Sequence, residues 1–199
     1  MKKNLLVALL AILLVPLSVV NADIIGWSCA DDGDHAIVMG TPTWTEGSDD
    51  YTLTMDCTQN WSPGHLLGDF TTDTELDPKV LIDETVENDT TFAWTDYHIT
   101  IGMTKTFSFL SVIAPEDWTY DTTPVVAGTI PNGGGPGWVG TVNYYVGTGS
   151  PIAIGDDGEF GLKVSFTGSV AFATQQVPTP EPATLALLSI GALVLRRRK

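Results

Sequence analysis

EFGLKVSFTGSVAF, residues 159–172, alternates apolar and polar side chains along its whole length. The large apolar side chains share one phase: Phe160, Leu162, Val164, Phe166, Val170 and Phe172. A period of two residues is typical of a half-buried β-strand, because successive side chains of a strand point to opposite faces. We interpret Gly168 as a bulge or bend, since Val170 and Phe172 keep the phase of the alternation.

The same alternation recurs through the central part of the chain, and no stretch of residues 23–176 shows a helical period. The other alternating runs are residues 51–57, 97–101, 106–113 and 138–146. They are separated by turn sequences rich in Gly, Pro, Asp and Asn at residues 31–34, 46–50, 62–64, 131–137, 147–151 and 155–158. Many short strands with regular turns predict an all-β domain. We expect a single antiparallel β-sandwich, jelly-roll or immunoglobulin-like.

The first 22 residues have the composition of a signal peptide. Lys2 and Lys3 form a basic start, and residues 5–20 form an apolar stretch. Small residues up to Ala22 predict a cleavage site, with the mature chain beginning at Asp23. An uncleaved membrane helix is the alternative. The domain outside the membrane is then predicted to span residues 23–176.

The C-terminus carries three further segments. Residues 177–182 form a predicted Pro-rich linker that contains Pro180, Glu181 and Pro182. Residues 183–195 are apolar or small and predict a hydrophobic helix of about 20 Å, which is short for a bilayer core of about 30 Å. A basic cap of four residues favours the cytoplasmic side: Arg196, Arg197, Arg198 and Lys199. The membrane is therefore an expected partner, through a temporary anchor or a permanent one.

This C-terminal order of Pro-Glu-Pro, apolar run and basic cap resembles that of PEP-CTERM proteins. The resemblance covers about residues 178–199. It implies a bacterial envelope protein that is recognised by an exosortase, processed near Pro180–Pro182, and delivered to the cell surface or the extracellular space. It further implies a structural or interaction role in an exopolysaccharide matrix or biofilm. Pro180, Glu181 and Pro182 are then substrate residues of the partner enzyme.

The central domain is strongly acidic. Six of the nine basic residues lie in the terminal segments, so Lys79, Lys105 and Lys163 face 23 acidic residues, a formal charge of −20. This charge excludes nucleic acid and anionic lipid as ligands, because phosphate binding needs clustered Lys and Arg. It favours solubility or contact with divalent cations.

Two cysteines, Cys29 and Cys57, fall in the exported domain. An even number of cysteines in an oxidising compartment predicts a disulfide. On the chain-entropy description, such a bond would contribute roughly 3.5 kcal/mol to stability. A free buried pair and a metal site are the alternatives.

No catalytic motif is present, and we predict that the protein is not an enzyme. The sequence contains no nucleophile elbow, HExxH, P-loop or dinucleotide-binding pattern. A secreted glycoside hydrolase is a weaker alternative, because that chemistry needs only two well-placed carboxylates.

Two acidic glycine turns offer oxygen ligands for calcium. The residues concerned are Asp31, Asp32, Asp34, Asp156, Asp157 and Glu159. Neither turn has the EF-hand pattern, and an Asp-Gly turn needs no metal. We therefore predict either no cofactor or calcium.

Tryptophans next to turns provide candidates for sugar stacking: Trp44, Trp61 and Trp138. An exposed aromatic platform beside carboxylates would favour a carbohydrate-binding module, with extracellular polysaccharide as the partner. Core or loop-anchoring roles are the alternative for each ring.

Overall fold

The structure, a computed structural model, describes residues 22–47 and 50–180. All regular elements in these ranges are strands: β1 (Ile24–Asp31), β2 (Ile37–Met39), β3 (Thr43–Glu46), β4 (Tyr51–Gln59), β5 (Gly64–Thr72), β6 (Lys79–Asn88), β7 (Trp94–Met103), β8 (Phe107–Ile113), β9 (Trp118–Thr122), β10 (Val126–Thr129), β11 (Pro136–Val146), β12 (Asp157–Phe166) and β13 (Val170–Pro180). The all-β prediction is confirmed. The described ranges contain no helix of the length and apolarity that crossing a bilayer requires.

The strands form two packed sheets. The seven-stranded sheet has the order β1-β5-β13-β7-β11-β10, with β9 also paired to β11, and every pair in it is antiparallel. The six-stranded sheet has the order β2-β4-β6-β12-β8, with β3 also paired to β4. The sandwich prediction is confirmed at this level, while the jelly-roll or immunoglobulin-like topology stays a prediction.

One strand pair departs from the predicted antiparallel arrangement. β4 and β6 are parallel, with Tyr51 opposite Val80 and Gln59 opposite Asn88. The chain leaves β4, runs back through β5 in the opposite sheet, and returns as β6 beside β4. Because β5 reverses the direction, β4 and β6 run the same way, so the six-stranded sheet is mixed.

The alternating stretch 159–172 is two strands, so Gly168 lies at a bend, as one of the two predicted roles has it, and not at a bulge. β12 belongs to the six-stranded sheet and β13 to the seven-stranded sheet, with a turn at residues 167–169 between them. Gly168 has φ of +62°, which glycine adopts without strain. Phe166 and Phe172 both stack on Phe70, at centroid distances of 5.5 and 5.0 Å. The apolar side chains keep the same phase through both strands because β12 and β13 turn them towards the same core.

The sandwich has two poles, which are useful for placing its sites. β1 and β13 are both antiparallel to β5 and therefore run in the same direction. The N-terminal pole is the end at which β1 begins, at Ile24, and the C-terminal pole is the end at which β13 finishes, at Pro180. The chain thus passes into its last segment at the pole opposite to its predicted mature start.

The predicted linker is wrong for residues 177–180, because β13 continues to Pro180. Val177 to Pro180 pair with β7, and Pro180 lies opposite Trp94. Pairing with β5 ends at Gln176, so β13 has a partner on only one side beyond that residue. Prolines are tolerated there because their missing N–H is not needed on the open side. Several predicted segments lie outside the described ranges: Glu181 and Pro182, the helix 183–195, the basic cap, and residues 1–21 of the signal peptide.

Candidate functional site

The described residues bring one group of potential metal ligands together, and it lies at the C-terminal pole. Asp32, Asp34 and His65 each offer a ligand atom, and these atoms all lie within 4.8 Å of one another. The two aspartates come from the loop between β1 and β2, and His65 is the second residue of β5. The antiparallel pairing of Asp31 with Leu66 places this loop beside the start of β5.

Hydrogen bonds to backbone N–H groups shape the aspartate loop. The Asp31 carboxylate accepts from the N–H groups of Gly33 and Met39, at 3.0 and 3.1 Å. Asp32 Oδ1 accepts from Asp34 N at 3.1 Å, and Asp34 Oδ1 accepts from Ala36 N at 2.7 Å. Asp31 is therefore occupied by the loop itself, whereas Asp32 and Asp34 each use one oxygen for the loop.

His65 faces this loop with a buried nitrogen. Its Nδ1 lies 3.3 Å from Asp32 Oδ2, and the side chains of His65 and Asp32 are 12% and 10% exposed. The distance is within ion-pair range, but the geometry makes no hydrogen bond, and Nδ1 has no hydrogen-bond partner among the described residues. The other ring nitrogen, Nε2, lies 3.4 Å from Gln175 Nε2. Because amide orientation is an assignment, Gln175 Oε1 can take that place and accept from Nε2–H.

The second predicted calcium turn does not form such a group. Asp156 and Asp157 line an open cleft of about 410 Å³ together with Glu116 and Asp117. Glu159 lies further along β12, opposite Thr85. No three ligand atoms from this region converge within the part of the chain that the structure describes. The cleft is acidic, but its carboxylates stay apart.

The cleft also has no exposed aromatic ring. Trp118, which lines it, is buried, and its Nε1–H donates to the carbonyl oxygen of Ser150 at 3.0 Å. The indole therefore anchors the loop that leads to β12. Its role in this place is structural, because the ring is buried and its polar atom is bonded to the loop.

The three tryptophans predicted for sugar stacking do not form a shared platform. Trp44 is half-buried and stacks with Trp27 and Tyr51 at centroid distances of 5.5 and 5.3 Å. Trp61 is 49% exposed and follows β4 at the C-terminal pole, whereas Trp138 is 38% exposed near the start of β11 at the other pole. The geometry thus leaves two single exposed rings at opposite ends of the domain.

A buried polar network crosses the core near the C-terminal pole. Glu84 Oε2 accepts from Gln176 Nε2 at 2.6 Å, and the Tyr97 hydroxyl bonds to Gln176 and to Gln59. Burial raises the pKa of Glu84 to about 8, the Gln176 hydrogen bond partly offsets this rise, and the charge of Asp83 adds to it. Glu84 Oε1 has no hydrogen-bond partner among the described residues. Burial therefore favours the protonated form of Glu84 at neutral pH. Sequence reasoning missed Glu84 because the side chains around it come from three distant strands.

The predicted disulfide is wrong: Cys29 and Cys57 are free thiols. Cys29 lies on β1 and Cys57 on β4, so they belong to opposite sheets. The Cys29 thiol points to Met55, with 3.3 Å between the two sulfur atoms. Burial, followed by the charge of Glu84, raises the pKa of Cys29 to about 12 and that of Cys57 further. Both are packing residues with little thiolate character.

Comparison with known proteins identifies the end of the chain. Residues 178–199 match the PEP-CTERM protein-sorting motif. The resemblance predicted from Pro180, Glu181 and Pro182 is confirmed, and the PEP-CTERM motif implies an exported protein that is sorted by an exosortase. No curated protein and no solved structure matches the chain. Of the motif, the described ranges contain Pro178, Thr179 and Pro180 at the end of β13.

Proposed function

We propose that the sandwich is an interaction module of the bacterial cell surface, working without catalysis in an exopolysaccharide matrix or biofilm. The observation that carries this proposal is the sorting motif at residues 178–199. In the precursor, the motif holds the domain at the membrane, and the exosortase then processes the chain near Pro180–Pro182. The domain is released to the surface or the extracellular space.

The end of β13 supports this order of events. Pro180 still lies opposite Trp94, so the folded domain reaches the residue before Glu181. The Pro-Glu-Pro segment therefore starts without a long spacer at the C-terminal pole. The processing enzyme must meet its substrate peptide close to this pole.

The charge of the domain favours release over lying on the membrane. The loops of the C-terminal pole carry several carboxylates: Asp32, Asp34, Asp89, Glu116, Asp117 and Asp156. The three lysines of the described ranges, Lys79, Lys105 and Lys163, lie towards the other pole. An acidic pole is repelled by anionic headgroups at low ionic strength.

A matrix role is favoured over the carbohydrate-binding alternative by the tryptophan geometry. Stacking a sugar chain needs neighbouring exposed rings, whereas Trp61 and Trp138 lie at opposite poles and Trp44 stacks on other aromatic rings. The acidic cleft lined by Asp156 and Asp157 contains only the buried ring of Trp118. The domain then contacts its matrix through polar and charged surfaces.

The test follows both ends of the full chain in a bacterium that has an exosortase. The parent is compared with a variant that carries Ala at Pro180, Glu181 and Pro182, and with a control that carries Ala at Pro178 and Thr179. Cell fractions are probed with an antibody to the domain, and the termini are measured by mass spectrometry. We expect the parent outside the membrane, starting at Asp23 and lacking Arg196–Lys199.

The triple variant should stay in the membrane fraction at the full C-terminal length, while the control is processed like the parent. Extracellular parent protein that retains Arg196–Lys199 contradicts processing. A triple variant that is processed like the parent contradicts recognition of the Pro-Glu-Pro segment.

A further inference from the structure

We infer that Asp32, Asp34 and His65 hold one divalent transition-metal ion of the Zn²⁺ class. Their ligand atoms lie within 4.8 Å of one another, which brings three donors into one small volume. Two carboxylate oxygens and one imidazole nitrogen form a donor set that Zn²⁺ accepts. The site joins the β1–β2 loop to β5, elements that no covalent cross-link connects within the described ranges.

His65 Nδ1 is the observation that points to an ion. It is buried beside Asp32 Oδ2 at 3.3 Å and makes no hydrogen bond. A buried polar atom without a partner is unfavourable, and most such atoms in proteins have one. A metal ion between Nδ1 and the two carboxylates replaces this unsatisfied contact with three coordinate bonds, one from each donor.

The surroundings of His65 fit a metal ligand. Its Nε2 lies 3.4 Å from Gln175 Nε2, and a flip of this amide brings Oε1 to the same place. When Gln175 Oε1 accepts from Nε2–H, the proton is held on Nε2, and Nδ1 presents its lone pair to the aspartates. Metal-bound histidines commonly donate their other N–H to such a partner, which orients the ring. Gln175 is then a positioning residue rather than a ligand.

The aspartates are held in place by the loop. Asp32 and Asp34 each accept one backbone N–H, at 3.1 and 2.7 Å, and so each has its second oxygen for coordination. This fixes the two carboxylates before an ion arrives. Asp34 is exposed, so the ion can arrive from solvent and a water molecule can complete a tetrahedral set.

The donor set separates this site from the calcium site that sequence reasoning predicted. Calcium takes six to eight oxygen ligands, whereas the group here supplies two carboxylates and a nitrogen. Asp31, which a calcium loop would use, is engaged by the N–H groups of Gly33 and Met39. The choice of metal therefore follows from His65, whose part in the site the sequence did not indicate.

The test uses the purified full-length chain, freed of metal and titrated with Co²⁺ as a spectroscopic substitute for Zn²⁺. We expect one equivalent to bind and to produce weak visible d–d bands without an intense thiolate charge-transfer band. Zn²⁺ should displace the Co²⁺, and Ca²⁺ in large excess should not. An intense thiolate band would place the ion at Cys29 or Cys57 and would overturn the inference.

The variants H65Q, D34N and D156N identify the residues. Asp34→Asn keeps an oxygen to accept Ala36 N–H but removes the charge, so the loop is preserved. We expect H65Q and D34N to weaken Co²⁺ binding at least tenfold. The control D156N makes the same type of change in the other acidic turn and should bind as the parent does.

Melting of the metal-free proteins shows whether each variant is folded. If a folded D34N and a folded H65Q bind Co²⁺ like the parent, the inference is wrong. Failure of the parent to bind one equivalent of either Co²⁺ or Zn²⁺ also overturns it. Neither result bears on export, which the processing test addresses through the C-terminus.

Discussion

The two poles of the sandwich are built from different chemistry. Towards the N-terminal pole the core is made of phenylalanines stacked on one another, as with Phe70, Phe166 and Phe172. Towards the C-terminal pole Phe160 packs among tyrosines and tryptophans whose polar atoms are bonded: Trp94 to Thr90, Tyr97 to Gln59 and Gln176, Trp118 to Ser150, and Tyr144 to Gly161. One half of the core is apolar, and the other contains a hydrogen-bonded network.

The surface charges divide in the same direction. Lys105 pairs with Glu75 and Lys163 with Asp50, both towards the N-terminal pole, and Lys79 begins β6 there. At the C-terminal pole, Asp32 faces His65, and no lysine or arginine lies in the loops of that pole that the structure describes. The C-terminal pole therefore combines the candidate metal ligands with the buried hydrogen-bonded network, whereas the ion pairs of the lysines lie towards the N-terminal pole.

Phe70→Ala should have the largest effect, because it opens a cavity in the apolar half. Phe70 is fully buried and stacks on Phe166 and Phe172. We expect the free energy of unfolding to fall by about 4 kcal/mol, measured by urea denaturation. Phe70→Leu should lose much less, because it leaves a smaller cavity. A loss below 1 kcal/mol for Phe70→Ala would contradict the importance of this cluster.

Glu84→Gln, in the polar half of the core, should change how the free energy of unfolding depends on pH. The pKa of Glu84 is raised from 4.5 to about 8 on folding, so the folded state keeps its proton where the unfolded state loses it. Stability therefore falls as pH rises from 4.5 to 8, by about 2 kcal/mol between pH 6 and pH 8. Urea denaturation at both pH values should show this loss in the parent and a much smaller one in Glu84→Gln.

Glu87→Gln is the matched control, because Glu87 is an exposed carboxylate on the same strand. It should keep the pH dependence of the parent, because its side chain is not buried. If Glu84→Gln and the parent lose stability equally between pH 6 and pH 8, then Glu84 ionises freely in the folded protein.

The ion pair of Lys163 with Asp50 should have the smallest effect. The Lys163 side chain is 25% exposed and that of Asp50 is 44% exposed, so solvent screens their attraction. A double-mutant cycle with Lys163→Met and Asp50→Asn should give a coupling free energy of about 0.5 kcal/mol. This coupling should shrink in high salt, and a coupling above 2 kcal/mol would show that electrostatics rather than apolar packing dominates near this pole.

Much of the architecture follows from local pattern. The alternation of residues 51–57, 97–101 and 138–146 predicted strands, and the structure contains them. This prediction works because a two-residue period of apolar side chains is typical of a strand with one buried face. The boundaries were less predictable. The alternation through residues 159–172 looks continuous, but it passes from one sheet to the other at Gly168, since strands of both sheets turn their apolar faces to the same core.

Only two of the three candidate metal ligands could be predicted from the sequence. Asp32 and Asp34 stand in an obvious acidic turn, whereas His65 looked isolated because its neighbours are 31 and more residues away in the chain. The one indication was indirect: the turn at Ser62–Gly64 and the acidic turn lie at ends of strands that could pair. Glu84 gave no indication, because a glutamate in an alternating strand is usually exposed.

The strand-rich fold class, the acidic surface and the sorting motif can be read from the sequence, because period, composition and a contiguous motif are local properties. The fold was needed to show that Cys29 and Cys57 are free thiols, that β13 runs to Pro180, and that His65 lies beside Asp32. These features depend on which strands pair and in which register. Pairing is set by the burial of the whole core, and no short stretch of the chain contains that information.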